Sequence, residues 1–281
     1  MGLIPTSSAG RFLLELGGKP CGFVDSVEGG GVAAEVVTET PGAEHYLRKH
    51  LGNASPEPIV LTFGLGMAPA FYGWLADAWN GNRTPRDGRI VFTDVNFKAT
   101  QEIGFRRAVV ASVTFPKLDG SSKDVGRFTV VLEPEETSAR KASETLKGAT
   151  STKTKQWVAS NFRVDVDGLD GKQVAKVDAF TVVTSGEPID FPGLRVSIAE
   201  SGAATWRAWH EELVVKGSND EGGEKSGALV LLDPTMKGEI GRVALAGLGI
   251  YRLAREKAEA NVDAVARVVA EVYCERMELA L

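Results

Sequence analysis

Apolar and polar residues alternate in several short stretches of this chain. Residues 162–167 are the clearest example, with Phe, Val and Val on one face and Arg, Asp and Asp on the other. This period of two predicts a strand with one buried face, and residues 172–182 are predicted to return as its hairpin partner. Further strands are predicted near residues 11–16, 20–26, 32–38, 59–63, 88–95, 105–115 and 125–133. Helices are predicted at about residues 68–79 and 203–215, so the fold is predicted to be mainly β.

The predicted elements follow the same order in both halves of the chain. Three pairs of segments match in order and spacing: residues 11–16 with 161–166, 59–63 with 194–198, and 88–98 with 227–237. Within the last pair, Asp94 corresponds to Asp233, and a Glu-Ile-Gly triplet follows in each half, at residues 102–104 and 239–241. Aligning these triplets makes the second turn two residues shorter than the first. An internal repeat is therefore predicted.

Both predicted helices carry an aromatic pair on one face. Phe71 and Trp74 lie three residues apart in the first helix, as Trp206 and Trp209 do in the second. Residues with this spacing are neighbours on one turn of a helix. The pairs strengthen the repeat and predict two tandem antiparallel β-barrels or sandwiches, each with one flanking α-helix.

The repeat divides the chain into two predicted domains, residues 1–135 and residues 159–281. Residues 136–158 are rich in Ser, Thr and Lys and nearly lack large apolar side chains, so a solvated polar linker is predicted there. Residues 251–273 favour a helix by composition. Their alignment with the first half and their valines predict a strand from Val262 onward instead.

Composition excludes several classes of protein. The 281 residues are 43% hydrophobic and 25% charged, with a net charge of −5, which predicts a globular protein without general attraction to nucleic acid or anionic membranes. No run of about 18 apolar residues indicates a membrane span, and the first residues lack the pattern of a secretory signal. Cys21 and Cys274 are expected to be reduced core residues, with a disulfide between them as the alternative.

Three possible ligand sites are better explained as structure. Residues 64–69 join a strand to a helix like a dinucleotide-binding turn, but Pro69 stands where the third glycine is required. Residues 165–171 resemble a calcium loop without its terminal Glu, so a hairpin turn is predicted. His45 and His50 lack the four-residue spacing that aligns two metal ligands on a helix. No catalytic residue, cofactor site or metal site is predicted, and the protein is predicted not to be an enzyme.

The order of elements resembles that of the tail-tube protein family. A strand enters a hairpin, a second strand leads to a helix with Trp74, and an Arg-Ile-Val strand ends at Asp94. A long strand then runs through residues 115–119, and residues 124–133 close the unit. This pattern is similar to the tubes of contractile phages such as the T-even phages, of extracellular contractile injection systems and of type VI secretion. The resemblance covers nearly all of the first half and is weaker in the second, which lacks the Pro after its long strand.

This resemblance implies a structural role. Family members form stacked hexameric rings, so a chain with two tail-tube-like barrels is expected to form a trimeric ring with pseudo-six-fold symmetry, as a tube initiator or hub. The alternatives are the principal tube subunit of a hexameric ring, a baseplate adaptor, and a nucleotide-binding enzyme built around residues 64–69. The expected partners are further copies of the chain and the tube, baseplate, spike and sheath proteins of a phage tail or phage-like particle assembled in the cytoplasm. Membrane insertion and sequence-specific binding of nucleic acid are not expected.

By the same resemblance, residues 41–50 are expected to reach a neighbouring subunit or ring. This stretch is charged and aromatic, and an exposed loop without a partner is the alternative. Six side chains are the predicted assembly contacts: Glu44, His45, Tyr46, Arg48, Lys49 and His50.

Overall fold

The computed structural model describes residues 10–40, 42, 46–146, 157–218, 221–256 and 265–281. The predicted mainly β class, with one helix beside each set of strands, is confirmed. The strands of the first half are β1 (Phe12–Leu16), β2 (Lys19–Val24), β3 (Ser26–Gly29), β4 (Val32–Glu39), β5 (Arg48–Pro56), β6 (Ile59–Phe63), β7 (Arg86–Thr93), β8 (Ala99–Phe115), β9 (Leu118–Asp119), β10 (Phe128–Glu133) and β11 (Glu136–Lys141). Those of the second half are β12 (Phe162–Val166), β13 (Val174–Val177), β14 (Phe180–Val183), β15 (Leu194–Ala199), β16 (Lys225–Leu232), β17 (Glu239–Arg255) and β18 (Arg267–Ala280).

The helices lie close to their predicted positions. Helix α1 spans Pro69–Trp79, and helix α2 spans Ala204–His210 and continues as a π-helical turn over Glu211–Val215. Pro69 stands in the first turn, where the missing N–H group has no helical partner to lose. The aromatic pairs of both helices are buried in the core, as their spacing predicts.

The two halves share one strand order. The first sheet runs β2-β1-β7-β8-β10-β6-β3, and the second runs β12-β16-β17-β18-β15-β13-β9. When β2 and β9, the end strands, are left out, each sheet has six strands. The six strands of the first sheet then correspond in order to the six strands of the second. The repeat in the sequence is therefore also a repeat of topology.

The register of these sheets corrects one part of the sequence alignment. Thr93 pairs with Ala99 after a bulge between β7 and β8, and Leu232 pairs with Glu239 after a bulge at the same place between β16 and β17. Ala99, rather than Glu102, therefore corresponds to Glu239. The second turn is one residue longer instead of two residues shorter, so the alignment of the Glu-Ile-Gly triplets is wrong. The triplet is short enough to recur by chance. The true correspondence is given by the backbone hydrogen bonds between strands, which set the register of each ladder.

The predicted linker is wrong over its first residues. Strand β11 occupies residues 136–141 and pairs with β8, where Glu136 faces Arg106. On the same strand β8, Leu132 of β10 faces Val110, so β11 continues the line of β10. The second half makes this closing strand in one piece, as β18. Residues 147–156 of the predicted linker lie outside the described residues.

Two further strand predictions need correction. Residues 172–182 do not pair with β12, whose partner is β16; they form β13 and β14, which pair with other strands. Strand β5 was not predicted, because its Gly52, Asn53 and Pro56 are poor strand formers. The strand expected from Val262 is confirmed from Arg267 onward, and Val262 itself lies outside the described residues.

One continuous core extends through both halves. It contains the helix aromatics and the inward faces of both sheets in a single buried cluster. Trp157, which the sequence assigned to the linker, is 3% exposed and stacks on Phe128 with ring centroids 6.0 Å apart. The two halves are thus packed into each other, because apolar side chains near the expected linker are buried between them.

Candidate assembly surface

The predicted assembly residues lie on a hairpin apart from the main sheets. Strands β4 and β5 pair only with each other among the described strands, with Glu39 facing Arg48 and Thr38 facing Lys49. Arg48, Lys49 and His50 therefore belong to a strand rather than a loop. Tyr46, just before it, is 67% exposed. Glu44 and His45 lie outside the described residues.

The hairpin exposes large apolar side chains that the prediction did not include. Val32 and Val36 of β4 are 63% and 57% exposed, and Leu51 of β5 is 73% exposed. Leu47, next to Tyr46, is also more than half exposed. Grouped apolar side chains on a projecting hairpin are typical of a surface that another protein covers.

A second surface joins the halves within the chain. Strand β14 of the second half adds to the edge of β8, beyond the point where β7 leaves it. Phe180 stacks on Phe115 with ring centroids 5.0 Å apart and an interplanar angle of 6°. The hydroxyls of Thr114 and Thr181 lie 2.8 Å apart. We call this contact the internal junction; the sequence missed it because residues 180–183 alternate like any half-buried strand.

Hydrogen bonds extend the internal junction past the end of β14. Thr184 is fully buried, and its Oγ1 donates to the carbonyl of Val110 at 2.6 Å. Its backbone N–H donates to the carbonyl of Ala111 at 2.8 Å. The edge of β8 therefore has its backbone groups paired along residues 110–115, as buried backbone requires.

Strand β9 provides a second cross-connection. Leu118 faces Val177 of β13, and Lys176 Nζ lies 3.4 Å from a carboxylate oxygen of Asp119. Burial opposes ionisation of Asp119, but hydrogen bonds from Ser121 and the charge of Lys176 outweigh it and lower the pKa of the carboxyl. The pair is thus charged at neutral pH and adds an electrostatic contact to the strand pairing.

Helix α1 ends against the second half. Trp79 is 2% exposed and meets Phe191 edge-on, with ring centroids 6.4 Å apart. Glu275 and Arg276 of β18 line the same cleft. The internal junction therefore joins the halves by strand addition and by the end of a helix.

A charged network fixes the closing strand of the first half. Arg89 Nε lies 2.6 Å from Glu15, and its Nη1 lies 2.9 Å from Glu102 and 2.9 Å from Glu144. Arg140 of β11 also binds Glu102. The hydrogen bond to Glu15 raises the pKa of Arg89 further above its usual value. Because four strands contribute charges, the network holds β11 to the sheet. The sequence had instead predicted that these residues belong to a solvated linker.

The other candidate sites have structural explanations. The Tyr72 hydroxyl accepts from the N–H of Met67 at 3.1 Å and donates to the carbonyl of Gly64 at 3.2 Å. The N–H of Ala68 donates to the carbonyl of Cys21. The amides of Met67 and Ala68, just before the helix, are therefore already bonded and do not face a phosphate. Burial raises the pKa of Tyr72 to about 12, so the hydroxyl stays neutral.

The remaining reactive groups are few in the part of the chain that the structure describes. Cys21 and Cys274 are both free and buried, and burial raises the pKa of each thiol. Among the described residues, no group of three His, Cys, Asp or Glu side chains could hold a metal ion. No described helix is long and apolar enough to cross a membrane.

Comparison with known proteins finds a family match in the first half. The profile of the family described as T4-like virus tail tube protein gp19 matches residues 8–138. No curated protein matches the sequence. Similar solved structures include three chains, each matching about half of this one: the sheath-tube complex of the PVC extracellular contractile injection system in its extended state (18% identity, TM-score 0.42, 50% of this chain and 95% of that chain), the tube terminating cap of the anti-feeding prophage (19%, 0.42, 50% and 95%), and Hcp1 from Flavobacterium johnsoniae (14%, 0.32, 48% and 99%). Residues 8–138 are thus similar to the family described as T4-like virus tail tube protein gp19, the family that the order of the predicted elements implied.

Proposed function

We propose that this protein is a ring-forming structural component of a contractile tail or injection particle, built from two tail-tube units in one chain. The units are residues up to 141, where β11 ends, and residues from 157 onward. Three chains would supply six units and close a ring with pseudo-six-fold symmetry. A ring of this kind suits a tube initiator or hub, because it has six-fold contacts on the tube side and a three-fold repeat of chains.

The internal junction is the observation that carries this proposal. Two units with one strand order meet through the addition of β14 to the edge of β8, which is the way separate subunits join through strand edges. A heterologous contact of this kind generates a ring when its rotation closes. Within one chain this contact is made once. Each of the two units still has one side free to make the same kind of contact with a neighbouring chain.

The exposed hairpin supports a further contact outside the ring. Tyr46, Leu47 and Leu51 lie on strand β5 or just before it and are each more than half exposed. Arg48 and Lys49 stand between them and are exposed. An apolar surface with a basic rim suits a tube or baseplate neighbour of complementary charge, and Tyr46, Arg48, Lys49 and His50 stay proposed contacts for that partner.

The mass of the purified protein tests the proposal. Light scattering across a range of concentrations is expected to show a species of three times the chain mass of 29.9 kDa. Negative-stain images of that species should show rings with six lobes. A six-chain species with two stacked layers would favour the principal tube subunit instead. A monomer at all concentrations would contradict ring formation.

A further inference from the structure

Val182 and Val32 occupy corresponding positions but differ completely in exposure. Val177 of β13 pairs with Val196 of β15, as Val27 of β3 pairs with Leu61 of β6. Val182 lies five residues after Val177, and Val32 lies five residues after Val27. Val182 is fully buried in the internal junction, whereas Val32 is 63% exposed. The segment around Val32 in the first half is thus exposed, whereas the corresponding segment of the second half, β14, is buried against β8.

The edge that should receive this strand is also present. Arg107 of β8 and Gly247 of β17 share a left-handed backbone, with φ of 47° and 61°, and the ladders to β7 and β16 align them. Residues 111–115 of β8, which carry β14, therefore correspond to residues 251–255 of β17. Among the described strands, β17 pairs only with β16 and β18, and β16 reaches no further than Leu248. Among the described residues, no strand therefore pairs with that edge of β17 from residue 249 to residue 255.

Exposure along this edge differs in the same direction. Ala111 is 6% exposed under β14, while its counterpart Tyr251 is 53% exposed. The end of the second helix repeats the difference. Trp79 is 2% exposed at the internal junction, and its counterpart Val214, five residues after Trp209, is 45% exposed. Three positions that are buried at the internal junction thus have exposed counterparts elsewhere in the chain. These counterparts are Val32, Tyr251 and Val214.

We infer that residues 31–34 of one chain add as an antiparallel strand to residues 251–254 of a second copy of this chain, repeating the internal junction between chains. This inference rests on the proposed ring and names its contact. The register follows from that of β14, where Val182 faces Val113 and Val183 faces Ser112. Val32 then faces Leu253, and Ala33 faces Arg252.

The chemistry of the two segments fits a second copy as the occupant. The exposed cations Arg252 and Arg255 lie in and beside residues 251–254, with Arg252 also bound to Glu271 of its own chain, and the exposed acids Glu28 and Glu35 flank residues 31–34. Gly31 takes the place of Thr181 of the internal junction, and Gly30, whose φ is 76° and whose N–H donates to the carbonyl of Pro58, ends the segment that can extend along the edge. Opposite charges at the ends favour this pairing over the pairing of two identical edges.

Disulfide trapping between two variants tests the register. Chains carrying Ala33→Cys and chains carrying Arg252→Cys are mixed, oxidised mildly and resolved by non-reducing electrophoresis. A covalent dimer is expected in the mixture, because facing positions on antiparallel strands bring Cβ atoms to about 5 Å. Mixing Ala33→Cys with Val95→Cys is the control, since Val95 is 64% exposed but lies in a distant turn. The variant Val183→Cys with Ser112→Cys should form its disulfide within one chain.

A second comparison does not depend on oxidation. Val32→Asp is expected to weaken association at least tenfold in a concentration series, and Val95→Asp to leave it within twofold. Two results together would overturn this inference while the proposed function stands: rings form but no disulfide joins Ala33→Cys to Arg252→Cys, and ring formation tolerates Val32→Asp. Wild-type protein that stays monomeric would overturn both.

Discussion

Phe97 and Met236 adopt the same left-handed backbone conformation, with φ of 60° and 61°, in the turns after β7 and β16. In both turns the first residue is an Asp whose Oδ1 accepts the backbone N–H groups of the residues two and four later. The distances are 2.8 and 2.9 Å at Asp94 and 2.9 and 3.3 Å at Asp233. Non-glycine residues are uncommon in this conformation. Two turns that share it are therefore copies of one local structure, although few of their residues are identical.

The carboxylate of Asp233 is expected to stabilise its turn in a pH-dependent way. A hydrogen bond from Thr235 is the main cause that lowers the pKa of this carboxyl. Its stabilising effect is therefore present above the pKa of the unfolded chain and is lost as the pH falls through the lowered pKa of the folded chain. Urea unfolding should show Asp233→Ala less stable than wild type at pH 7, with a smaller difference at low pH.

The exposed Asp167 provides the control for this experiment. Asp167→Ala removes a carboxylate from another turn and should leave the free energy of unfolding nearly unchanged at both pH values. A difference between Asp233→Ala and wild type that persists unchanged at low pH would contradict the assigned role of the ionised carboxylate.

Gly126 is expected to tolerate no side chain. A Cβ there would lie 1.9 Å from the ring of Trp157, so Gly126→Ala must displace a buried tryptophan that stacks on Phe128. Overpacking of this kind destabilises by about 1–3 kcal/mol. Gly73→Ala is the matched control, because nothing lies within 4 Å of its Cβ position in α1, and alanine stabilises a helix by about 1 kcal/mol relative to glycine. Opposite shifts of the urea midpoint are expected, and equal shifts would contradict the packing described.

Phe180 should be the residue on which the internal junction most depends. It is 6% exposed and stacks on the fully buried Phe115, so Phe180→Ala is expected to destabilise the protein by about 3–5 kcal/mol. Val183 lies three residues later on the same strand and is 50% exposed. Val183→Ala should change the free energy of unfolding by less than about 1 kcal/mol. Similar losses for both variants in denaturant unfolding would argue against a packed junction.

The Arg89 network should matter far more than the surface ion pairs around it. Arg89→Met leaves the Glu15 side chain, which is 10% exposed, without the Arg89 cation, while Glu102 keeps its contact with Arg140, and is expected to cost about 3 kcal/mol. The pair of Arg106 and Glu136 is 3.5 Å apart with both side chains about two-thirds exposed. Arg106→Met should therefore change stability by less than about 1 kcal/mol. Equal effects in urea unfolding would show that the network is not buried in solution.

Most of the elements were predictable because their signals are local. The alternation of residues 162–167 and the paired aromatics of the two helices depend only on neighbouring positions, and strand β12 and both helices formed close to where they were predicted. Strand β11 was missed because Glu136, Ser138 and Arg140 are polar. Their strand is stabilised by hydrogen bonds to β8 and by the Arg89 network, which involve residues far away in the sequence.

The exposed hairpin was predicted only in part, and its role in assembly stays a prediction. Aromatic and charged residues drew attention to residues 41–50, and Tyr46, Arg48, Lys49 and His50 do lie on an exposed hairpin. The internal junction carried no comparable signal. Phe180 and Val182 look like core residues of their own half, and alternation cannot tell which sheet a strand will join.

The amino-acid sequence alone determined that this chain repeats one mainly β unit twice, because side-chain periodicity and the order of turns are written along the chain. Only the tertiary structure decided that β14 pairs with β8, that β10 continues into β11, and that Ala99 rather than Glu102 corresponds to Glu239. Each of these depends on backbone hydrogen bonds between distant residues. Such bonds are available to any strand, so their partners are selected by the packing of the whole molecule.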